Sequence, residues 1–128
     1  MEQDGQRCAY CRSPMLVGIP MVVEHIIPLA AGGNSTRDNL CLSCYRCNEF
    51  KGPRIEAADP HDGQLAPFFH PRQQRWHEHF AWHESGDTLL GLTPCGRATI
   101  EAFRLNNDWI VHARRIWMLV GLHPPIES

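Results

Sequence analysis

Two Cys-x-x-Cys pairs, Cys8-Ala9-Tyr10-Cys11 and Cys44-Tyr45-Arg46-Cys47, constrain this chain more than any other feature. At that spacing one tight turn presents two sulfurs to a tetrahedral Zn²⁺, and two such turns complete its coordination. Four thiolates close the cage and leave no position open, so this metal has a structural job rather than a chemical one. Cys41 stands three before Cys44 and makes a competing pair with it. Cys44 with Cys47 is preferred, because Asn48 and Lys51 follow them on one expected helix, while Cys41 between Leu40 and Leu42 suits a small apolar packing residue. Cys95 is isolated and reads as a packing residue at a helix start.

The rest of the composition agrees with a small folded protein. A chain of 128 residues can form one compact unit, or a metal-stapled module packed against a second one, but not two large cores. Hydrophobic residues at 43% and charged residues at 20% are ordinary for a globular domain. No stretch approaches the ~20 apolar residues of a membrane span, and MEQDGQRC is polar rather than signal-like, so the expected location is cytoplasmic and no membrane partner is expected. In a reducing compartment paired cysteines favour a metal over disulfides. The net charge of −2 and pI near 6.4 weigh against a nucleic-acid binder. Against that, 11 of the 12 basic residues are arginine, which suits bidentate phosphate contact, and local clustering matters more than the sum.

Local patterns give a coarse order of elements. Met21-Val22-Val23 reads as a strand ending at Glu24-His25, followed by a turn-rich loop over 29–39. A short helix is expected from Ser43 to Lys51, stopped by Gly52-Pro53. Residues 56–71 have no clear period and read as a linker or an ordered loop, and 72–83 as mixed structure. A strand is expected over 88–92, a helix from Pro94 to Leu105 with Thr93 as its cap, and a second helix from Trp109 to Leu119, the two forming a helical hairpin.

Between the cysteine pairs lie Glu24-His25-Ile26-Ile27-Pro28, then Gly32-Gly33-Asn34, Asp38-Asn39-Leu40, and Cys47-Asn48-Glu49-Phe50-Lys51. That ordered string, over residues 8–54, resembles the HNH endonuclease family. The resemblance implies an α+β fold: a ββα-metal core over 1–58 with the zinc cage of Cys8, Cys11, Cys44 and Cys47, and a C-terminal extension over 59–128 packed on it. It implies a nuclease that cleaves DNA phosphodiester bonds, nicking or cutting both strands, and leaves 5′-phosphate and 3′-hydroxyl ends. His25 would be the general base, Glu24 and Asn48 ligands of a catalytic Mg²⁺ or Mn²⁺, and Asn39 the brace beside His25. The chemistry suits these residue types: a neutral imidazole titrating near ~6.5 can take a proton from water, and a hard cation held by oxygens offsets the charge that builds on phosphorus. Strand alternation sends Glu24 and His25 to opposite sides, so a strand must end or bulge there to aim both at one phosphate. Arg46, Lys51 and Arg54 fall on or just after the helix and are candidates to hold the DNA backbone, with a solvated basic face as the bland alternative.

The second half, 67–125, resembles an extension found in small bacterial HNH proteins. Trp76, Phe80, Trp82, Phe103, Trp109 and Trp117 are expected to build an aromatic mini-core over the hairpin. Arg97, Arg104, Arg114 and Arg115 are expected to pack or be solvated, with contact to nucleic acid as the functional alternative. The extension is also the part available to a homo-oligomer contact or a protein partner. The rival to a nuclease is a non-catalytic zinc-bound DNA-binding or protein-interaction module, which the negative charge favours.

Overall fold

A computed structural model describes residues 2–125 of the chain. The first strand, β1 (Met21–His25), pairs antiparallel with β2 (Leu40–Cys44), in a register that sets Met21 opposite Cys44 and His25 opposite Leu40. Cys44 ends β2 and begins the helix α1 (Tyr45–Lys51), its sulfur accepting a hydrogen bond from the Cys47 N–H at 3.5 Å. Helix α1 therefore starts two residues later than the expected Ser43. Apolar Leu40, Cys41 and Leu42 are drawn into the sheet, where Cys41 and Leu42 are buried.

The stretch expected as a linker or loop is an ordered hairpin of β3 (Glu56–Ala58) and β4 (Leu65–Pro67). Strands of three residues show no period in the sequence. What fixes the hairpin is Asp59 in its turn, which accepts the His61 N–H at 3.0 Å and is gripped by Arg97 through Nε at 2.9 Å and Nη2 at 2.8 Å. Next, α2 (Trp76–His79) runs into β5 (Phe80–Trp82), which pairs with β6 (Leu89–Gly91).

Helix α3 (Pro94–Phe103) has the expected cap, with Thr93 Oγ1 accepting from Gly96 N–H at 3.0 Å. It ends two residues before Leu105, because Arg104 turns left-handed with φ at 53°. Asn107 caps α4 (Asp108–Leu119) by accepting from Ile110 N–H at 3.1 Å. α3 packs against β6, β4, β3 and α1. Gly96 permits a further close approach, to the end of α2, since a Cβ there would stand 2.1 Å from the His79 carbonyl oxygen.

One core runs through both halves. Tyr10 meets Phe103 edge-on at 5.0 Å, Phe68 meets Phe103 at 4.9 Å, and Trp76 lies beside Phe80 at 5.1 Å between ring centres. Trp76 also donates its indole N–H to the Tyr10 carbonyl at 3.0 Å. The aromatic expectation fails at two places: Trp109 is 81% exposed, on the face of α4 turned away from Ile110 and Arg114, and Trp117, partly exposed, is not among the residues packed on the core. Among the described residues no helix is long and apolar enough to cross a membrane.

Candidate active site

The hairpin β1–β2 and helix α1 bring the two cysteine pairs together. The sulfurs of Cys8, Cys11, Cys44 and Cys47 all lie within 4.8 Å of one another, and all four residues are buried. Cys11 and Cys44 sulfurs are 3.7 Å apart, close to the roughly 3.8 Å edge of a tetrahedron with ~2.3 Å Zn–S bonds. The thiols perturb one another: burial pushes Cys8 well up, whereas hydrogen bonds from Cys44 and Cys47 hold Cys11 well down. Four buried sulfurs at this spacing share protons poorly, and a divalent ion that displaces those protons fits the set. Cys41 stays outside it. Its sulfur lies 3.6 Å from both the Tyr10 hydroxyl and Glu24 Oε1, and burial beside that carboxylate raises its pKa strongly, keeping it a neutral thiol.

Glu24 and His25 divide as strand alternation requires. Glu24 points inward, 8% exposed; Tyr10 donates its hydroxyl to Oε1 and Lys51 places Nζ 3.2 Å from Oε2. Burial beside Cys41 and Glu24 pushes the Tyr10 phenol well up, so it stays a donor. His25 is the last residue of β1, where the strand stops, and its Nε2 sits 2.9 Å from Ser35 Oγ. Both residues nevertheless border one open cleft of about 350 Å³, together with Asn48, Lys51, Val22, Pro28 and Gly52. Asn48 reaches it from the exposed side of α1.

The loop behind His25 is held by Asn39. Its Oδ1 accepts from Ile27 N–H at 2.8 Å, and its Nδ2 donates to the carbonyls of Ile27 at 2.9 Å and Asn34 at 2.7 Å. The Gly-Gly step has two separate causes. Gly32 adopts φ of 94°, which favours glycine, and a Cβ on Gly33 would stand 1.8 Å from the Ile27 carbonyl oxygen.

Of the three basic residues expected near DNA, Lys51 is turned the other way. It is 1% exposed, and its ammonium is taken by Glu24 and by the His25 carbonyl at 3.1 Å. Two of its three N–H donors are thus committed inside the protein, which makes Lys51 a partner of Glu24 rather than part of a solvated basic face. Arg54 is exposed but donates to the Phe50 and Lys51 carbonyls at the end of α1, and Arg46 lies half-buried near the cage sulfurs. In the extension, Arg97 and Arg115 are held by Asp59 and Asp87, while Arg114 is wholly buried, donating to the carbonyls of Asp87 and Leu105. Arg104 is exposed and lies over the Phe50 ring. Sequence reasoning misses Tyr10 and Ser35, the direct partners of Glu24 and His25. Tyr10 is visible as a large residue between two cage cysteines, whereas Ser35 has no signal beyond its place in a polar turn.

Residues 8–54 match the family model described as HNH endonuclease. The CRISPR-associated endonuclease Cas9 of Corynebacterium diphtheriae is 40% identical over 53 residues, which are 41% of this chain and 5% of that protein. The chain thus spans about a twentieth of that relative's length. No solved structure gives a significant match. The chain carries an HNH endonuclease domain at residues 8–54, in a mixed α+β fold with a four-cysteine cluster compatible with zinc.

Proposed function

From an HNH domain whose His25, Glu24 and Asn48 share one cleft, we propose that the chain is a metal-dependent endonuclease that hydrolyses DNA phosphodiester bonds. The observation that carries this reading is the place of His25: at a strand end, beside open space large enough for a phosphate, with its loop braced by Asn39. When Nε2–H donates to Ser35, Nδ1 keeps the lone pair and takes the proton from an attacking water. Asn48 and Glu24 are the oxygens that would hold Mg²⁺ or Mn²⁺, which supplies charge neutralisation at the phosphate. Glu24 would do so while keeping Tyr10 and Lys51; a carboxylate has about four lone-pair sites, of which Tyr10 and the weak Cys41 donor meet Oε1 and Lys51 meets Oε2.

The cage of Cys8, Cys11, Cys44 and Cys47 is structural in this reading and holds Zn²⁺. The second reading, a non-catalytic zinc-bound binding module, draws on the net charge of −2 and on the commitment of Glu24 to Lys51.

A plasmid-nicking assay with Mg²⁺ or Mn²⁺ separates the two. His25→Ala is expected to lower the cleavage rate by about 10²–10⁴-fold with zinc content unchanged. Equal cleavage by both proteins, or no cleavage by the wild type with either metal, would leave only the binding module.

A further inference from the structure

Helix α4 keeps one face in the protein and shows the other to solvent. Ile110 and Arg114 are buried on the inner face. Opposite them, Trp109 is 81%, Ile116 49% and Leu119 85% exposed, with His112 between them and Val120, at 67%, continuing the strip. Trp109, His112, Ile116 and Leu119 are spaced three, four and three, the interval at which side chains form a single seam along a helix. An apolar strip of this size is about as large as the largest on a soluble monomer, and such patches often mark a contact surface.

We propose that this seam is the contact between two copies of the chain, packed as an antiparallel α4 pair about a twofold axis. Spacings of three, four and three read the same in both directions. Reversing the helix therefore sets Trp109 against Leu119 of a second copy and His112 against Ile116, so the surface is complementary to itself, as a twofold contact demands. A partner of unrelated sequence would need no such symmetry.

Charge permits this register. The midpoint of the seam brings Arg115 near its own copy, which would repel, but Asp87 Oδ2 accepts from Arg115 Nε at 2.7 Å and neutralises it. The area is also adequate: one Trp, one Leu, one Ile and one Val exposed to this degree offer about 500 Å² per copy, so a pair buries about 1,000 Å², the lower bound for a specific interface. A contact of that size forms a reversible dimer rather than an obligate one.

The test is sedimentation equilibrium of the full, zinc-loaded chain across a concentration series. The wild type is expected to shift from one to two copies with rising concentration. Trp109→Glu and Leu119→Lys are each expected to weaken the dimer at least about tenfold, because a charge then faces an apolar side chain. The double variant is expected to regain much of the lost affinity, since the introduced carboxylate of one copy then faces the introduced ammonium of the other across the axis. Both positions are solvent-exposed, so unchanged zinc content and circular dichroism would show that every variant folds. A wild type that stays single at all concentrations overturns the proposal, as does a dimer that neither single variant weakens. A double variant no better than the singles overturns the antiparallel register.

Discussion

Residues 8–54 and residues 59–125 hold their shape by different physics. The first region has short strands and few large apolar residues inside; it buries instead the four cage thiols and Cys41, the Glu24–Lys51 ion pair and the Asn39 amide. The second buries more rings, Phe68, Phe69, Trp76, Phe80 and Phe103, with Leu89 and Leu105 between them, and sets its buried charges Asp59 and Arg114 at the margin of these rings, held by Arg97 and by backbone carbonyls. Apolar burial is non-directional and tolerates small shifts, whereas a buried charge or thiol stabilises only with its partner in place. The contrast teaches that the region carrying the proposed site depends on exact pairing of its buried polar groups and the other supports it. They meet where Phe103 packs on Tyr10 and where Arg72 donates through Nε to the Leu40 carbonyl at 3.0 Å.

The largest effect should come from removing the Zn²⁺ proposed for the four-cysteine cage. Structural zinc sites in small domains contribute on the order of 10 kcal/mol, as much as the ~5–15 kcal/mol net stability of an entire typical domain. Chelation, or Cys11→Ser, is expected to strip hydrogen-exchange protection from β1, β2 and α1 first, while amides of β5, β6 and α3 keep a larger share of theirs. Loss of protection at one rate throughout the chain would show that the two regions are not separable in this way.

Next in size is the buried ion pair. Lys51→Met leaves the largely buried Glu24 carboxylate with Tyr10 as its one strong donor, a change that costs up to about 3–5 kcal/mol. Adding Glu24→Gln should restore part of that loss, because the uncompensated charge is gone. Denaturant midpoints of the two singles and the double measure the coupling. Additive losses would mean that Glu24 and Lys51 act independently and that the first region is less polar in its energetics than its contacts suggest.

The two regions also differ in how far their sequence can be read. The cage is legible because Cys-x-x-Cys spacing is a property of one turn, and the ordered string from Glu24 to Lys51 fixes which elements lie between. Lys51 misleads because a basic residue at a helix end looks alike whether it meets solvent or a carboxylate; only the tertiary position of Glu24, one strand away, decides. The hairpin of β3 and β4 is illegible for a related reason. Three-residue strands carry no usable period, and their anchor, Arg97, lies on a distant helix. Trp109 shows the opposite error: an aromatic residue signals a contact, but the sequence does not say whether the contact is with its own chain.

The smallest predicted effect lies in that hairpin. Arg97 grips Asp59 through two bonds and holds its carboxyl down at about 2, below the ordinary 3.8. A depressed carboxyl stabilises the fold fully above its unfolded value, and that contribution is lost as pH falls from near 4 through about 2. Arg115 and its neighbours lower Asp87 in the same direction, so the wild type should lose stability over this acid window at two places. Arg97→Leu removes one of them. Thermal midpoints measured from about pH 6 down to about pH 2 should show the variant less stable than the wild type near neutrality, with the gap closing as Asp59 takes up its proton in both proteins. A gap that stays constant across the window would mean that Arg97 anchors the hairpin by packing along its side chain, and that the second region rests on apolar contact even at its most polar turn.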